Sequence, residues 1–487
     1  MAVRASLLFC VFVSCIGIVT ASHDPLCGLK LRITTSCLNY ANKVMIDKFL
    51  KKTRGGTIKP IENNSNDLYF KLEKIYVKEL SVGHSSVTMI EDKGIQWSAR
   101  GISISVSAHY RYKYTPYFLH IEDDGGIDGS VFGGLFDVRL AVGIDSTRRP
   151  RVRMDSCNCA IDRVKVKFSG GISSMILNLF RSLVEDYLKK ILKSKVCDAI
   201  RDTVDRDLEK SLHRAHISSK IGPKFLLDYG LQKSPVFNSD SMETFHKGII
   251  YCRKNITQVP FQPSPFPPVT RNDKMIYAWV SGYMFRSLTY QAQRNGVLHK
   301  TLTNDDFLNS TVGFLSTSCK FGKLCIGKFL PQLQHQFPRE VVEIELKSRK
   351  APNIILVDGQ LRLIMNGSMT LFVKPPTAAE RKYLFTMDAD MASSIKVSYS
   401  DGYLHSNLGK MNFNICISNS TLHPIYDRAL NFIMQNIVKH YVKPALDSQG
   451  SIGLPLLKSD DIKLVNTNLT LTQDAIIIGT DLQVIEI

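Results

Sequence analysis

Val259-Pro260-Phe261-Gln262-Pro263-Ser264-Pro265-Phe266-Pro267-Pro268 divides the chain. Its prolines fix φ and remove backbone donors, so the stretch belongs inside neither a helix nor a sheet and reads as a stiff extended connector. It falls near the middle of the 487 residues. On each side lie the same ingredients, alternating segments plus one or two amphipathic helices. The reading is therefore two related halves, 22–250 and 273–487, with 251–272 as the linker, although no residue-level repeat joins them.

Working outward, strict alternation marks strands with one wet face. Ile102, Ile104 and Val106 oppose Ser103, Ser105 and Ser107, and Val164, Val166 and Phe168 oppose Lys165 and Lys167. Beyond the linker, Met369, Leu371 and Val373 repeat the pattern, as do Phe385, Met387, Ala389 and Met391. A 3.6-residue period marks helices. Ile176, Leu179, Phe180, Leu183, Tyr187 and Ile191 form a stripe continuing through Ile200, Val204 and Leu208, which predicts a long helix over much of 173–212. Tyr426, Leu430, Ile433, Ile437 and Tyr441 predict a second that Pro444 ends, and a third covers about Cys37 to Lys52. The fold class is α+β with antiparallel sheets. A curved sheet closed by an amphipathic helix either completes a solid core or encloses a container for lipid tails, and periodicity does not separate the two.

At the N-terminus, Arg4, the apolar run Ala5–Val19 and small residues up to Ala21 read as a secretory leader over 1–21. The mature chain is then extracellular. Of eleven cysteines, Cys10 and Cys15 lie in the leader, which leaves an odd number to pair in an oxidising compartment. Cys319 and Cys325 flank Gly322 and can close a small loop. Cys27, Cys37, Cys159, Cys252 and Cys416 have no assigned partner. Sequons at Asn63, Asn255, Asn309, Asn366, Asn419 and Asn468 fit glycosylation on the same route.

Formal net charge is +18, which favours anionic partners. Secretion and the lack of a zinc-finger or RNA-binding signature disfavour nucleic acid. No cysteine or histidine pairs recur at ligand spacing, so no metal is expected. There is no G-x-S-x-G elbow, H-E-x-x-H or P-loop, and Asp123-Asp124 before Gly125-Gly126 reads as a hairpin turn, not an acid/base pair. No enzymatic activity is expected.

A co-linear series of short motifs carries a resemblance. Gly28-Leu29-Lys30-Leu31-Arg32-Ile33 with Leu38-Asn39-Tyr40-Ala41 opens it; Cys157, Ile161, Val164, Val166 and Lys195-Val196-Cys197 continue it. Pro265-Phe266-Pro267-Pro268 with Lys274-Met275-Ile276-Tyr277, then Gly296-Val297-Leu298, Phe329-Leu330-Pro331 and Gly453-Leu454-Pro455-Leu456 carry it to the C-terminus. The chain resembles the family of bactericidal/permeability-increasing protein, lipopolysaccharide-binding protein and the plasma lipid-transfer proteins. That resemblance implies an elongated boomerang of two twisted barrels joined by a central sheet, with an apolar phospholipid pocket beneath each. It also implies a disulfide between Cys157 and Cys197.

The resemblance further places lipopolysaccharide at a basic tip. Lys51, Lys52 and Arg54 match the cluster ending the first helix, and Arg111 and Lys113 match a basic hairpin. Lys48, Lys59, Tyr110, Tyr112 and Tyr114 are secondary candidates, cations meeting lipid A phosphates and tyrosines meeting acyl chains. Arg148, Arg149, Arg151 and Arg153 form another basic run whose place is open. The chain departs from the family at Ile61–Asp67, where Glu62, Asn63, Asn64 and Asp67 stand in place of a lysine-bearing loop. The expectation is a monomeric innate-immune protein, carrying bound phospholipid but no other cofactor, that engages lipid A on the bacterial outer membrane. Transfer of phospholipid or sterol ester is the alternative.

Overall fold

The computed structural model describes residues 25–485 apart from 66–67, 116–119, 170–180, 269–270, 308–312, 323, 358, 375–379 and 457–461. The leader, Asn309 and the first turns expected of the long helix fall outside the described residues.

The first half opens with strand Leu29–Thr34, which runs directly into helix α1, Thr35–Thr53. An eight-stranded antiparallel sheet follows, its spine ordered Leu68–Ser81, Gly94–Tyr114, Ile121–Ile144, Pro150–Ala160; Arg163–Ser169 pairs with the early part of Ile121–Ile144. Helix α2, Arg181–Asp202, continues through a π turn, Thr203–Leu208, to His213. The second half repeats this order. Strand Ile276–Ser281 leads into helix α3, Gly282–Arg294. A seven-stranded sheet with spine Val342–Ser348, Gln360–Val373, Lys382–Ser400, Tyr403–Ser420 precedes helix α4, Asp427–Ile437, which continues to Ile452. The two halves are thus related in backbone order where residue-level comparison finds nothing.

Six strands make a central sheet in the order Val236–Phe237, Ser241–His246, Leu29–Thr34, Ile276–Ser281, Ala475–Val484, Ile462–Thr472. Three come from each side of the linker, and the two opening strands pair antiparallel at its middle, Ile33 opposite Ile276 and Leu29 opposite Val280. Gly28 and Gly248 meet where the sheet begins. A Cβ on Gly28 would lie 2.2 Å from the Gly248 carbonyl oxygen, so only glycine permits that approach. The linker is anchored on this centre: Phe261 packs edge-on against Tyr283 and Tyr290, and Phe266 packs against Tyr277, Trp279 and Ile477. Leu227 and Ile250, from before the linker, are fully buried in one cluster with Leu371 and Ile433 of the second half.

The alternating stretches are strands as read. Val164, Val166 and Phe168 are buried with Lys165 and Lys167 outward, and Met369, Leu371, Val373, Phe385, Met387 and Ala389 are buried in the second core. Two readings fail. Pro444 does not end its helix: a π turn at Val438–Val442 precedes it, and proline occupies the first turn of the segment Lys443–Ile452. A wider turn asks nothing of the carbonyl four residues back that a proline ring obstructs. Asp123–Gly126 is no hairpin turn but lies inside strand Ile121–Ile144. Its glycine serves close packing, since a Cβ on Gly125 would lie 2.8 Å from the Tyr110 hydroxyl.

Helix α3 escaped the reading because its buried face is partly polar. Ser287 accepts from the Ile250 N–H at 2.9 Å and donates to Met284 O, while Gln291 donates to Thr257 O at 2.7 Å. Those side chains satisfy buried backbone groups, and they interrupt the apolar stripe.

The long helices are fastened to sheet edges. Cys157 in strand Pro150–Ala160 is bonded to Cys197 of α2, and closing that loop contributes roughly 3 to 4 kcal/mol in the chain-entropy model. Cys319 and Cys325 are bonded as well. Glu185, Asp205 and Glu209 accept the N–H groups of Val166, Met154 and Val152 at 2.9, 2.7 and 2.7 Å. In the second half Asp447 accepts the Leu408 N–H at 2.8 Å. Burial alone would raise that carboxyl, but Lys443 and the Leu408 N–H hold it below the ordinary range.

Candidate functional site

The hairpin expected to present cations has two faces. On the inner one, Tyr110 is fully buried among Phe70, Ile127, Ile161, Val164, Val166, Phe168 and Leu188. Its hydroxyl is pushed up to about 12, by burial first and by Asp123 second. Tyr110 is therefore a core residue and no part of an exposed aromatic face. Tyr112 stacks on it at 6.3 Å, half-buried; the Tyr114 side chain lies outside the described residues. Tyr110→Ala is expected to destabilise by about 3–5 kcal/mol, read as a lower urea midpoint, while Tyr110→Phe stays within about 1 kcal/mol.

On the outer face the basic residues meet acids. Lys113 lies 2.9 Å from Glu122, Arg111 3.9 Å from Glu73, Lys71 3.1 Å from Glu73 and His109 2.8 Å from Asp124. The Lys71 ammonium holds the Glu73 carboxyl below its usual range. Exposed pairs such as these add little stability, but they cancel the hairpin's positive field locally.

Lys48, Lys51 and Lys52 stand exposed in the last turns of α1, and Lys59 is exposed beyond it. They lie near the negative end of the helix dipole, where cations are stabilised. Arg54 is turned back, its Nε donating to Leu80 O at 2.9 Å. The helix end is stitched to the sheet where the Gly55 N–H meets Val77 O, and Val77 is paired with Val106. Arg111 is five residues further along that strand, roughly 16 Å away at about 3.3 Å per residue. The helix-end lysines and the hairpin cations thus form two groups, not one cluster.

Three arginines of the Arg148–Arg153 run serve the fold. Arg148 donates to Leu231 O, Arg149 to Ala215 O, and Arg151 faces Glu209 at 3.6 Å. Asp145 organises this loop. Burial would raise its carboxyl, but the Arg149 and Thr147 N–H groups, the Thr147 hydroxyl and His213 outweigh burial and hold it at about 2. A carboxyl whose folded value is depressed contributes stability above its unfolded value and loses it as pH falls toward the folded one. The melting-point gap between wild type and Asp145→Ala should accordingly be full above about pH 4 and close as pH falls toward 2.

Of the sequons, Asn255, Asn419 and Asn468 are exposed. Asn366 sits in mid-strand with its Nδ2 donated to Asp390 at 2.6 Å. The Asn63 side chain is not among those described. Cys27, Cys37 and Cys252 are buried, Cys159 is half-buried and Cys416 exposed; burial raises the Cys37 thiol to about 11.

A concave feature lies in the second half. Between its sheet and the α4 segment is a cavity of about 640 Å³, within the range of small-molecule pockets. Ile354, Leu363, Met365 and Met391 line it from the sheet, Met434, Ile437 and Leu446 from the helix, and Phe285 from α3. The helix therefore does not complete a solid core here; it roofs a container. In the first half the inward side chains gather into two clusters, around Tyr110 and Phe168 and around Val138, Met154 and Val204. Sequence reading had no means of naming the cavity residues, since each is an ordinary inward-facing apolar position.

Two twisted sheets, each roofed by a long helix and joined through a shared central sheet, with an apolar chamber under one roof, define a two-barrel fold. The chain belongs to the LBP / BPI / CETP family: the family's N-terminal domain matches residues 38–210 and its C-terminal domain residues 219–484. It is 23% identical over 485 residues to the bactericidal permeability-increasing protein of Sebastes schlegelii, covering 98% of this chain and 99% of that one. It is 22% identical to human lipopolysaccharide-binding protein, covering 85% and 84%, and 20% identical to mouse phospholipid transfer protein, covering 96% and 92%. The crystal structure of lipopolysaccharide binding protein superposes with a TM-score of 0.60 at 20% identity, covering 94% of this chain and 99% of that one. Among the described residues no helix is long and apolar enough to cross a membrane.

Proposed function

We propose that this is a secreted, non-enzymatic lipid-binding protein that carries phospholipid in its second half and engages anionic bacterial glycolipid, lipid A of lipopolysaccharide, through the cations near the end of α1. The apolar cavity beneath the α4 segment is the observation that carries the reading, because a chamber lined by methionine and branched aliphatic side chains suits acyl chains and little else. The exposed Lys48, Lys51 and Lys52 supply charge-assisted contacts to phosphate; Arg111 and Lys113, matched to Glu73 and Glu122, contribute less. That pairing also favours a second reading, phospholipid or sterol-ester transfer, in which the cavity is the working element and the tip is incidental.

Binding of the purified protein to lipid A at two salt concentrations tests it. Wild type is expected to bind and to weaken with salt. Lys48→Gln/Lys51→Gln/Lys52→Gln is expected to lose at least about tenfold in affinity, equivalent to about 1.4 kcal/mol, and Arg111→Gln/Lys113→Gln less than about threefold. Equal binding by wild type and the lysine triple variant, or no binding by either, would leave transfer as the better reading.

A further inference from the structure

The cavity's charged groups point to its cargo. Its charged lining consists of Lys224, Lys300, Lys347 and Asp447, set among apolar and neutral polar side chains. Asp447 is already committed, its carboxylate accepting from Lys443 Nζ and from the Leu408 N–H. Lys224 and Lys347 are exposed, and Lys300 is half-exposed with Asp306 at 3.1 Å. A lipid with a quaternary ammonium would find the ammonium groups of Lys224 and Lys347, that of Lys300 shared with Asp306, and a carboxylate already neutralised. A lipid with a bare phosphodiester or phosphate would find matched charge. Volume limits the tail: about 640 Å³ is roughly twenty water volumes of about 30 Å³. That accommodates one long acyl chain and part of a second, and is far short of a glycolipid with many chains. We infer that the second-half cavity selects an anionic glycerophospholipid over a zwitterionic choline lipid, with Lys224, Lys300 and Lys347 as the headgroup selector. This rests on the reading of the cavity as an acyl-chain site and separates its cargo from the lipid A proposed at α1.

The experiment incubates the full-length protein with vesicles of equimolar phosphatidylglycerol and phosphatidylcholine bearing identical acyl chains. The protein is then re-isolated and its bound lipid counted by mass spectrometry. Wild type is expected to carry phosphatidylglycerol in at least about tenfold excess, about 1.4 kcal/mol of discrimination. Lys224→Gln/Lys300→Gln/Lys347→Gln should bring the ratio within about twofold of one while lipid per protein persists. Leu363→Trp, which fills the chamber, should lose both lipids; Met365→Trp is a second filling variant should the first fail to show a wild-type circular dichroism spectrum. A wild-type ratio near one with lipid bound, or a triple variant that keeps the tenfold preference, overturns the headgroup selection alone. Absence of bound lipid in wild type, or lipid undiminished in correctly folded filling variants, overturns the acyl-cavity reading and the selection with it.

Discussion

Replacing Glu243 with alanine is expected to cost about 3–5 kcal/mol, among the largest losses available to one substitution. Glu243 stands in the central sheet with its side chain 8% exposed. Its carboxylate meets Lys30 Nζ at 2.9 Å and Arg32 Nη2 at 2.8 Å, and those side chains are 9% and 14% exposed. Lys30 and Arg32 also lie over the Trp279 ring at 5.3 and 5.2 Å. Without the carboxylate, both cations lose the acid they share beside the Trp279 ring, where little water reaches to screen them. An aromatic face offsets about 2 kcal/mol or more of a desolvated cation, while the carboxylate pairs with both cations at once. The three strands involved join the two halves, hence the loss should appear in a urea titration as an earlier midpoint for the molecule as a whole. Lys30→Met/Arg32→Met/Glu243→Leu should recover most of it, since a buried ionic group replaced entire by apolar side chains is often neutral. A Glu243→Ala variant within about 1 kcal/mol of wild type would show that water reaches the pair and that the sheet is held by its apolar contacts alone.

The central sheet also shows what the sequence carried and what it did not. Alternation gave the strands because one face of each is packed and the other wet, a local property that needs no partner. Partners are another matter. Lys30 and Glu243 are 213 positions apart, and their meeting depends on a strand order no local pattern encodes. The surroundings of the expected tip cations were hidden for the same reason. Arg111 and Lys113 were legible as cations, but Glu122 faces Lys113 only through the register Lys113↔Glu122, and Glu73 faces Arg111 across a second strand pair. Tyr110 looked like a member of an exposed aromatic run, yet the period of two turned it inward with Tyr112 while Arg111 and Lys113 turned outward. The Cys157–Cys197 bond was reached through the family resemblance, not from geometry. The cavity, too, was implied only by the resemblance, because whether a helix fills or roofs a sheet depends on a few ångströms of separation that hydrophobic periodicity does not record.

That separation brings the second large prediction, Glu185→Ala/Asp205→Ala/Glu209→Ala. The edge formed by Pro150–Ala160 and Arg163–Ser169 would otherwise offer bare backbone donors, the usual weakness of an open sheet. Carboxylates of the α2 segment take three of them, at Val166, Met154 and Val152. A hydrogen bond to a charged group contributes about 1.5–3 kcal/mol, and a buried donor left alone costs a similar amount. The three bonds share one helix and are not additive, so about 4–6 kcal/mol is the expected loss, below three times the single value. Amide exchange is the discriminating measurement. If the carboxylates hold the edge, exchange at Val152, Met154 and Val166 should accelerate at least about a hundredfold, the equivalent of about 2.7 kcal/mol, while Leu371 and Phe385 in the other half change little. The Cys157–Cys197 bond should keep α2 tethered, so the edge opens while the helix stays attached, and reduction should then release both. Uniform acceleration across both halves would instead mean that the edge bonds support the molecule globally. No acceleration at the three amides would mean that water replaces the carboxylates without cost and that apolar packing, with the disulfide, is what seats the helix.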